Sequence, residues 1–249
     1  MSHRLTILGC GSSGGVPRIG TMWGQCDPSN PRNRRRRCSA LVERIDGGRR
    51  TTVLIDTSPD LREQLLDVRC AALDGVLYTH DHADHTHGID DLRMVAYAMK
   101  RRIDVHADPA TRKSLIDRFG YCFETAPGSS YPPILSAHDI NGGGPIRIDG
   151  GGGPVVATPV QQVHGDIASL GFRIGKHEKR QDGSVALNAL GAHQGREVAI
   201  LVVLGGDWEG ARPDPDIPIQ SYLGPVAFHS LGESSDALIQ VLDKLYDTK

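Results

Sequence analysis

The sequence predicts a single α/β domain that is rich in loops. Short apolar runs typical of strands alternate along the chain with segments typical of helices. Thirty glycines and fifteen prolines, against 5% aromatic residues, indicate many turns with unusual backbone angles. Since no internal repeat or interdomain linker interrupts the 249 residues, we expect one domain spanning residues 1–249.

The predicted elements follow one another as strands with helices between them. Strands are predicted at residues 4–8, 39–43, 52–55, 75–78, 103–108, 146–148, 155–160, 170–175 and 198–204. Helices are predicted from about residue 60 to residue 66, from the segment 87–93 to about residue 99, at 109–119 and at 234–245. Residues 121–133 and 176–197 are predicted to be irregular. The second and third strands form a hairpin that turns through Asp46, Gly47 and Gly48.

The bulk composition favours neither a polyanionic partner nor a membrane. A formal charge of -2 with 23% charged residues gives no reason to expect a nucleic-acid or membrane surface. No apolar run approaches the length of a membrane span or a signal-peptide core, so we expect a cytoplasmic protein. Five widely spaced cysteines, an odd number, are expected to be reduced thiols.

A glycine-rich loop follows the first predicted strand. Residues 9–14, Gly-Cys-Gly-Ser-Ser-Gly, match the dinucleotide fingerprint Gly-x-Gly-x-x-Gly. No amphipathic helix follows, and no acidic residue ends a second strand about twenty residues on, as ribose binding requires. We therefore predict a loop whose backbone approaches a ligand closely, with Ser12 and Ser13 as candidate substrate-binding residues.

A cluster of metal-ligating residue types follows the predicted strand at residues 75–78. The six residues from 80 to 85 have the pattern His-x-His-x-Asp-His. His80 and His82 are two apart on an extended segment, so they point the same way and can share one ion. Asp84 and His85, on the turn that follows, are placed to hold a second ion beside the first. Imidazole and carboxylate at this density favour zinc, manganese or iron over a solvated polar loop.

Three further residues at strand ends are candidates for the same centre. His164 ends a strand at a glycine-containing turn, as the first cluster does, which favours metal ligation over a structural role. Asp207 follows the strongest buried-strand signal and either bridges two ions or begins a turn. Asp56 is either part of a helix-capping region or a partner that fixes a ligand histidine, and these roles are compatible.

Residues 32–37 contain five arginines in the order Arg-Asn-Arg-Arg-Arg-Arg. Such a run is usually a solvated face. The alternative is that one or two of them face the cleft and hold phosphate oxygens, with Arg34, Arg35 and Arg37 as candidates. Nonspecific RNA binding is a third interpretation, with little support from the remaining charge.

These metal motifs on successive strand ends resemble the metallo-β-lactamase superfamily. The pattern at residues 80–85, supported by Asp56 and His164 in chain order, carries the likeness. The motifs at 9–17, 56–60, 87–93 and 163–166 are similar to the branch related to phosphoribosyl 1,2-cyclic phosphate phosphodiesterase, over about residues 4–175. The resemblance implies a four-layer αβ/βα sandwich of two mixed sheets with outer helices.

The resemblance also implies an assignment of ligands and catalytic residues. His80, His82 and His164 would hold one ion, Asp84 and His85 the other, and Asp207 would bridge them. The family's last histidine ligand follows the final helix, whereas this chain ends at Lys249 just beyond its predicted helix, so we expect a less complete second site. Asp84 and His229 are the candidate catalytic residues, and His229 resembles an active-site histidine near the substrate.

The predicted activity is that of a metal-dependent phosphodiesterase acting on a small cyclic phosphate or a nucleotide-like phosphoester. With two divalent ions bound, zinc or manganese above all, a bridging water would become hydroxide near neutral pH and attack phosphorus. Thioester or lactam hydrolysis on the same fold is one alternative, and a degenerate metal- or nucleotide-binding protein is another. We expect a small phosphorylated partner and no nucleic acid or membrane, and a homodimer is compatible with the sequence.

Overall fold

The computed structural model describes residues 2–142, 144–164 and 167–174 of the chain, together with the backbone of five short strands between 177 and 202.

A six-stranded mixed sheet carries the first half of the chain, with its strands side by side in chain order. They are β1 (Ser2–Gly9), β2 (Ser39–Asp46), β3 (Arg49–Ile55), β4 (Gly75–Leu77), β5 (Ile103–Ala107) and β6 (Leu135–Asp139). The pairs from β1 to β3 are antiparallel, and those from β3 to β6 are parallel. The β2–β3 hairpin turns through Gly47 and Gly48, both at positive φ, as the sequence predicts.

A second sheet is antiparallel and has the strand order β14-β9-β8-β7. Its strands are β7 (Ile146–Ile148), β8 (Val155–His164), β9 (Ile167–Ile174) and β14 (Ile200–Val202). Between β9 and β14, β10 (His177–Lys179) pairs with β11 (Val185–Leu187), and β12 (Ala192–His193) pairs with β13 (Arg196–Glu197).

Four α-helices connect the parallel strands of the first sheet. They are α1 (Leu61–Asp67), α2 (Ala83–Thr86), α3 (Leu92–Met99) and α4 (Pro109–Phe119). Asp108 begins α4, because its side chain accepts the backbone N–H groups of Ala110 and Thr111 and Pro109 occupies the first turn. Lys100 ends α3 in the left-handed conformation, with a φ of 54°.

The alternation of side chains on β3 and β4 builds two cores, one on each face of the first sheet. Leu54 and Val76 pack against the helices, in a cluster that includes Leu61, Leu92 and Leu115. Their neighbours Val53, Ile55 and Leu77 point the other way and pack against Val155, Phe172 and Ile174 of the second sheet. Because both faces are buried at Val53–Ile55 and along β4, these stretches are apolar at every position, and polar residues follow where the strands end.

The predicted mixed α/β architecture with two sheets and helices is confirmed. Strand β6 was not predicted, because its sequence Leu-Ser-Ala-His-Asp at the sheet edge alternates weakly and only Leu135 is fully buried. The prediction of irregular structure for residues 176–197 is wrong where the two short hairpins form. The closing helix predicted at 234–245 lies outside the described residues.

Within the part of the chain that the structure describes, no helix combines the length and the apolar character that a membrane crossing requires.

Candidate metal centre

The ends of three strands bring the predicted metal ligands to one edge of the sandwich. Asp56 directly follows β3, and residues 79–85, here called the metal loop, follow β4. His164 is the last residue of β8 in the second sheet. The backbone N–H of Leu170 on β9 donates to the Thr79 carbonyl at 2.9 Å, which ties the second sheet to the metal loop. Parallel strands end at a common edge, so residues distant in sequence meet there.

Three histidines form a cluster that fits a divalent metal ion. One ring nitrogen from each of His80, His82 and His164 lies within 4.8 Å of the other two. Nε2 of His164 and Nδ1 of His82 are 3.3 Å apart. Nε2 of His80 is buried and has no hydrogen-bond partner among the described residues. An unpaired buried nitrogen is costly, and a metal ion shared with the other two imidazoles would satisfy it.

Asp56 fixes the proton of His80 through Thr79. Its Oδ1 accepts the Thr79 backbone N–H at 2.8 Å, and its Oδ2 accepts the Thr79 hydroxyl at 2.7 Å. Since that hydroxyl gives its proton to the carboxylate, it accepts from the Nδ1–H of His80, 2.8 Å away. This hydrogen-bond network assigns the His80 proton to Nδ1 and leaves a lone pair on Nε2, as a metal ligand requires.

Asp56 also holds His85, beside the three-histidine cluster. Nδ1 of His85 donates to Oδ2 of Asp56 at 2.7 Å, and its Nε2 lies 3.3 Å from Oδ2 of Asp84. The His80 and His85 ring centroids are 4.2 Å apart. Asp56 therefore holds a histidine of the metal loop, while α1 begins at Asp60 without it.

The pKa values of His80 and His85 are shifted in opposite directions. Burial, and then the neighbouring His85, His82 and His164, lower the pKa of His80 to about 2, so its imidazole is neutral. Burial also lowers the pKa of His85, but the charge of Asp56 and the hydrogen bonds to Asp56 and Asp84 outweigh it and raise that pKa to about 9. An ion bound by Asp84 and His85 would therefore displace a proton.

Asp84 remains ionised beside these rings. Burial raises the pKa of its carboxyl, but the hydrogen bond and charge of His85 lower it overall. With its side chain 16% exposed, Asp84 is placed between the buried His85 and the open side of the metal loop.

The model of the beta-lactamase superfamily domain matches residues 51–181, which include Asp56, the whole metal loop and His164. The chain belongs to the beta-lactamase superfamily. Its resemblance to that superfamily, predicted from the motif at residues 80–85, is confirmed.

Two relatives of this beta-lactamase superfamily chain show how far the similarity extends. A crystal structure of a new diphosphatase from the PhnP family is 34% identical, with a TM-score of 0.58, and the match covers 70% of this chain and 63% of that one. An octanoyltransferase of Porphyromonas gingivalis is 35% identical over 175 residues, 70% of this chain and 33% of that protein. The chain thus spans a third of the curated relative and under two thirds of the structural one.

A cleft of about 480 Å³ lies at the open side of the metal loop. Its lining comes from three parts of the chain: Ser13, Gly14, Arg18, Ile19, Met22 and Arg37 from the N-terminal region, Pro59, and Ala83 and Asp84 of the metal loop. We call residues 13–22 together with Arg37 the N-terminal wall. Of the predicted substrate-binding residues, Ser13 and Arg37 line this cleft. Ser12, Arg34 and Arg35 are not part of its lining, and Arg34 is exposed.

The first glycines of the predicted ligand loop pack against the arginine run. The Gly11 backbone N–H donates to the Arg36 carbonyl at 2.7 Å, and Val16 and Arg35 exchange two backbone hydrogen bonds of 2.9 Å. A Cβ on Gly9 would lie 2.1 Å from the Arg37 carbonyl oxygen. Close approach of two backbones therefore explains the start of the loop, and only its later part, from Ser13, borders the cleft.

Helix α4 supports the outer side of the metal loop through contacts that the sequence did not predict. On α4, Ser114 Oγ donates to Asp81 Oδ2 at 2.7 Å, and Arg118 donates both to that oxygen at 2.9 Å and to the Asp81 carbonyl at 2.6 Å. Asp81 lies between the candidate ligands His80 and His82. No local pattern marks Arg118, because its partner is 37 residues away.

Two predicted site residues, Asp207 and His229, lie outside the described residues. The five cysteines are all free thiols, as expected.

Proposed function

We propose that the protein is a metal-dependent phosphodiesterase that hydrolyses a small cyclic phosphate or a nucleotide-like phosphoester. One juxtaposition carries this proposal: the metal-loop residue Asp84 and the guanidinium-bearing Arg37 line the same cleft, beside the three-histidine cluster. A cleft with ligands for a cation on one side and a guanidinium on the other suits a phosphoryl group.

The ligands would be divided between two divalent ions, zinc or manganese. His80, His82 and His164 would hold one ion, and Asp84 and His85 the other, with Asp207 as the predicted bridge. When bound, the ions supply Lewis-acid activation of water and of the phosphoryl group.

The protein's own residues prepare the site for that chemistry. Asp56 fixes the proton of His80 on Nδ1, through Thr79, and orients His85 directly. Arg37 offers its planar guanidinium to phosphoryl oxygens, while Asp84 is ionised and can only accept hydrogen bonds, for instance from an attacking water. His229 would protonate the departing alkoxide as a general acid.

The relatives support different chemistries. The similar structure is that of a diphosphatase, which favours phosphate esters. The curated relative is an octanoyltransferase, and two thirds of that protein lies outside the match. Because a metal site that polarises phosphoryl groups polarises carbonyls as well, thioester hydrolysis is the second candidate. Arg37 in the cleft favours the phosphoester.

Metal content and hydrolysis of bis-p-nitrophenyl phosphate, measured on the same samples, test the proposal. We expect divalent metal bound to protein purified without chelator, hydrolysis that stops on chelation and returns with zinc or manganese, and no comparable cleavage of a glutathione thioester. His82→Ala should lose both metal and hydrolysis, because it removes one of three clustered ligands. Metal loss in this variant without loss of hydrolysis would sink the proposal, and faster thioester cleavage would favour the second candidate.

A further inference from the structure

Two of the five cysteines lie opposite each other where β1 runs into the glycine-rich loop. The last pair of the β1–β2 ladder joins Gly9 to Ser39, the neighbours of Cys10 and Cys38. On the other side, the residue after Cys10 and the residue before Cys38 form a bridge. Residues that face each other in this way have Cα atoms about 4.5–5.5 Å apart, within the range of about 4.4–6.8 Å that a disulfide spans.

The side chains of these two cysteines meet on the same face. Cys38 is buried in the core between the two sheets, and Cys10 packs against that core. The Cys38 thiol donates to the Gly11 carbonyl oxygen at 3.1 Å, so it points at the segment that carries Cys10. Burial, and then the neighbouring Cys10, raise the pKa of the Cys38 thiol. Register, the shared core and the direction of the thiol therefore bring the two sulfur atoms together.

The other three cysteines are placed differently. Cys26 has its sulfur 3.8 Å from Nη1 of Arg35, and the Cys70 thiol donates to the Ala72 carbonyl at 3.4 Å. Cys122 is buried in the core on the helix side of the first sheet. None of these three lies in a described strand, so no strand pairing sets any of them opposite another cysteine.

The cysteine pair is located where the N-terminal wall meets the support of the metal loop. Arg37, which lines the cleft, directly precedes Cys38. Ser39 follows, and its hydroxyl donates to the Asp56 carbonyl oxygen at 3.0 Å. A covalent bond at Cys38 would thus tie the start of the glycine-rich loop to the backbone between the cleft and Asp56.

We propose that Cys10 and Cys38 form a reversible disulfide when the protein meets hydrogen peroxide. Peroxide oxidises the thiol of Cys10, the more exposed of the two, to a sulfenic acid and is itself reduced to water. The Cys38 sulfur then attacks the Cys10 sulfur. The S–S bond forms, the S–O bond breaks, and the oxygen leaves as a second water with the Cys38 proton.

The position of the two sulfur atoms decides whether this second step occurs. Burial keeps the Cys38 thiol protonated, which makes it a poor nucleophile toward thiols in solution. A neighbouring Cys10 raises its effective concentration enough to offset that. The bond does not depend on the reaction of the metal centre, and a dithiol reverses it by exchange.

Peptide mapping after limited oxidation tests the pairing. The protein, purified without chelator, is treated with hydrogen peroxide, quenched with acid, alkylated and digested with trypsin. Cleavage after arginine puts the two cysteines on separate peptides, Leu5–Arg18 and Cys38–Arg44. We expect these peptides to be joined, with both thiols protected from alkylation, and dithiothreitol to separate them. Equal amounts of links to Cys26, Cys70 or Cys122 would overturn the inference.

Serine variants and urea unfolding complete the test. Cys10→Ser and Cys38→Ser should each abolish the link, whereas Cys70→Ser, at another partly exposed cysteine, should form it as the parent protein does. Oxidation should raise the urea midpoint of the parent protein, because the bond closes a loop in the unfolded chain, and should not shift that of Cys10→Ser. Sulfinic acid at Cys10 without a link, links only between chains, or a lowered midpoint would show that the two thiols are not placed for this bond.

Discussion

The metal loop and the N-terminal wall face the same cleft, but they are built in different ways. The loop is held from behind by buried side chains: Asp56, Thr79 and His80 are all fully buried, and three donors converge on one carboxylate. The wall is held by backbone pairing, and its side chains at Arg18, Ile19 and Met22 are exposed, with Ile19 98% exposed.

The difference separates the two tasks of the site. A buried, fully hydrogen-bonded network has few alternative arrangements, so the positions of the histidines are fixed before any ion binds. Exposed side chains on a paired backbone can change with little effect on stability. The metal chemistry should therefore be sensitive to substitution behind the loop, and substrate preference should be sensitive to substitution in the wall.

The largest effect is expected from Asp56→Asn. Asparagine tolerates the left-handed backbone at this position, where φ is 59°, so the substitution mainly removes the buried charge. His85 and Thr79 then lose an acceptor, which should lower the free energy of unfolding by about 3 kcal/mol and reduce bound metal. Urea unfolding and elemental analysis measure both.

Asp67→Asn is the control for this change, because Asp67 pairs with Arg36 at an exposed position and should contribute less than about 1 kcal/mol. Unfolding free energies that fall equally in the two variants would show that the buried network has no special role.

A smaller effect is expected from Arg118→Met on the outer side of the metal loop. The substitution removes two hydrogen bonds to Asp81 and should weaken metal binding roughly tenfold, as losses of outer partners do. Competition with a chromophoric chelator measures the affinity. Arg112→Met on the same helix, which pairs with Asp139, should leave the affinity unchanged. If both variants lost metal affinity equally, the cause would be a general destabilisation of α4 and not the hydrogen bonds to Asp81.

The smallest effects are expected in the wall itself. Arg37→Gln breaks the partly buried pair with Asp60 and should cost about 1 kcal/mol of stability, whereas Arg18→Gln should stay within about 0.5 kcal/mol. Urea unfolding of the metal-free proteins distinguishes them. A larger cost for Arg18→Gln than for Arg37→Gln would contradict the expectation that the Arg37–Asp60 pair is the stronger support of the wall.

Much of the candidate metal centre was predictable because its parts are local. The pattern at residues 80–85 follows a strand whose burial is evident from its composition, and the strand fixes how His80 and His82 are spaced. His164 and Asp56 were also identified, since each ends a strand. The supporting roles of Thr79 and Asp81 were not predicted, because both residues act through hydrogen bonds that only a folded chain can form.

Some features of the N-terminal wall were predictable from the sequence, but the side chains that line the cleft were not. The sequence predicted a glycine-rich loop that approaches a ligand and left open whether the arginine run is a solvated face or borders the cleft. It determined the fold class through the alternation of buried strands and helices. Only the tertiary structure decided that Arg37, rather than Arg34 or Arg35, lines the cleft and that Arg18 joins it. The reason is physical: in a run of exposed arginines every side chain has the same local preference, so its direction is set by backbone pairing with a distant segment.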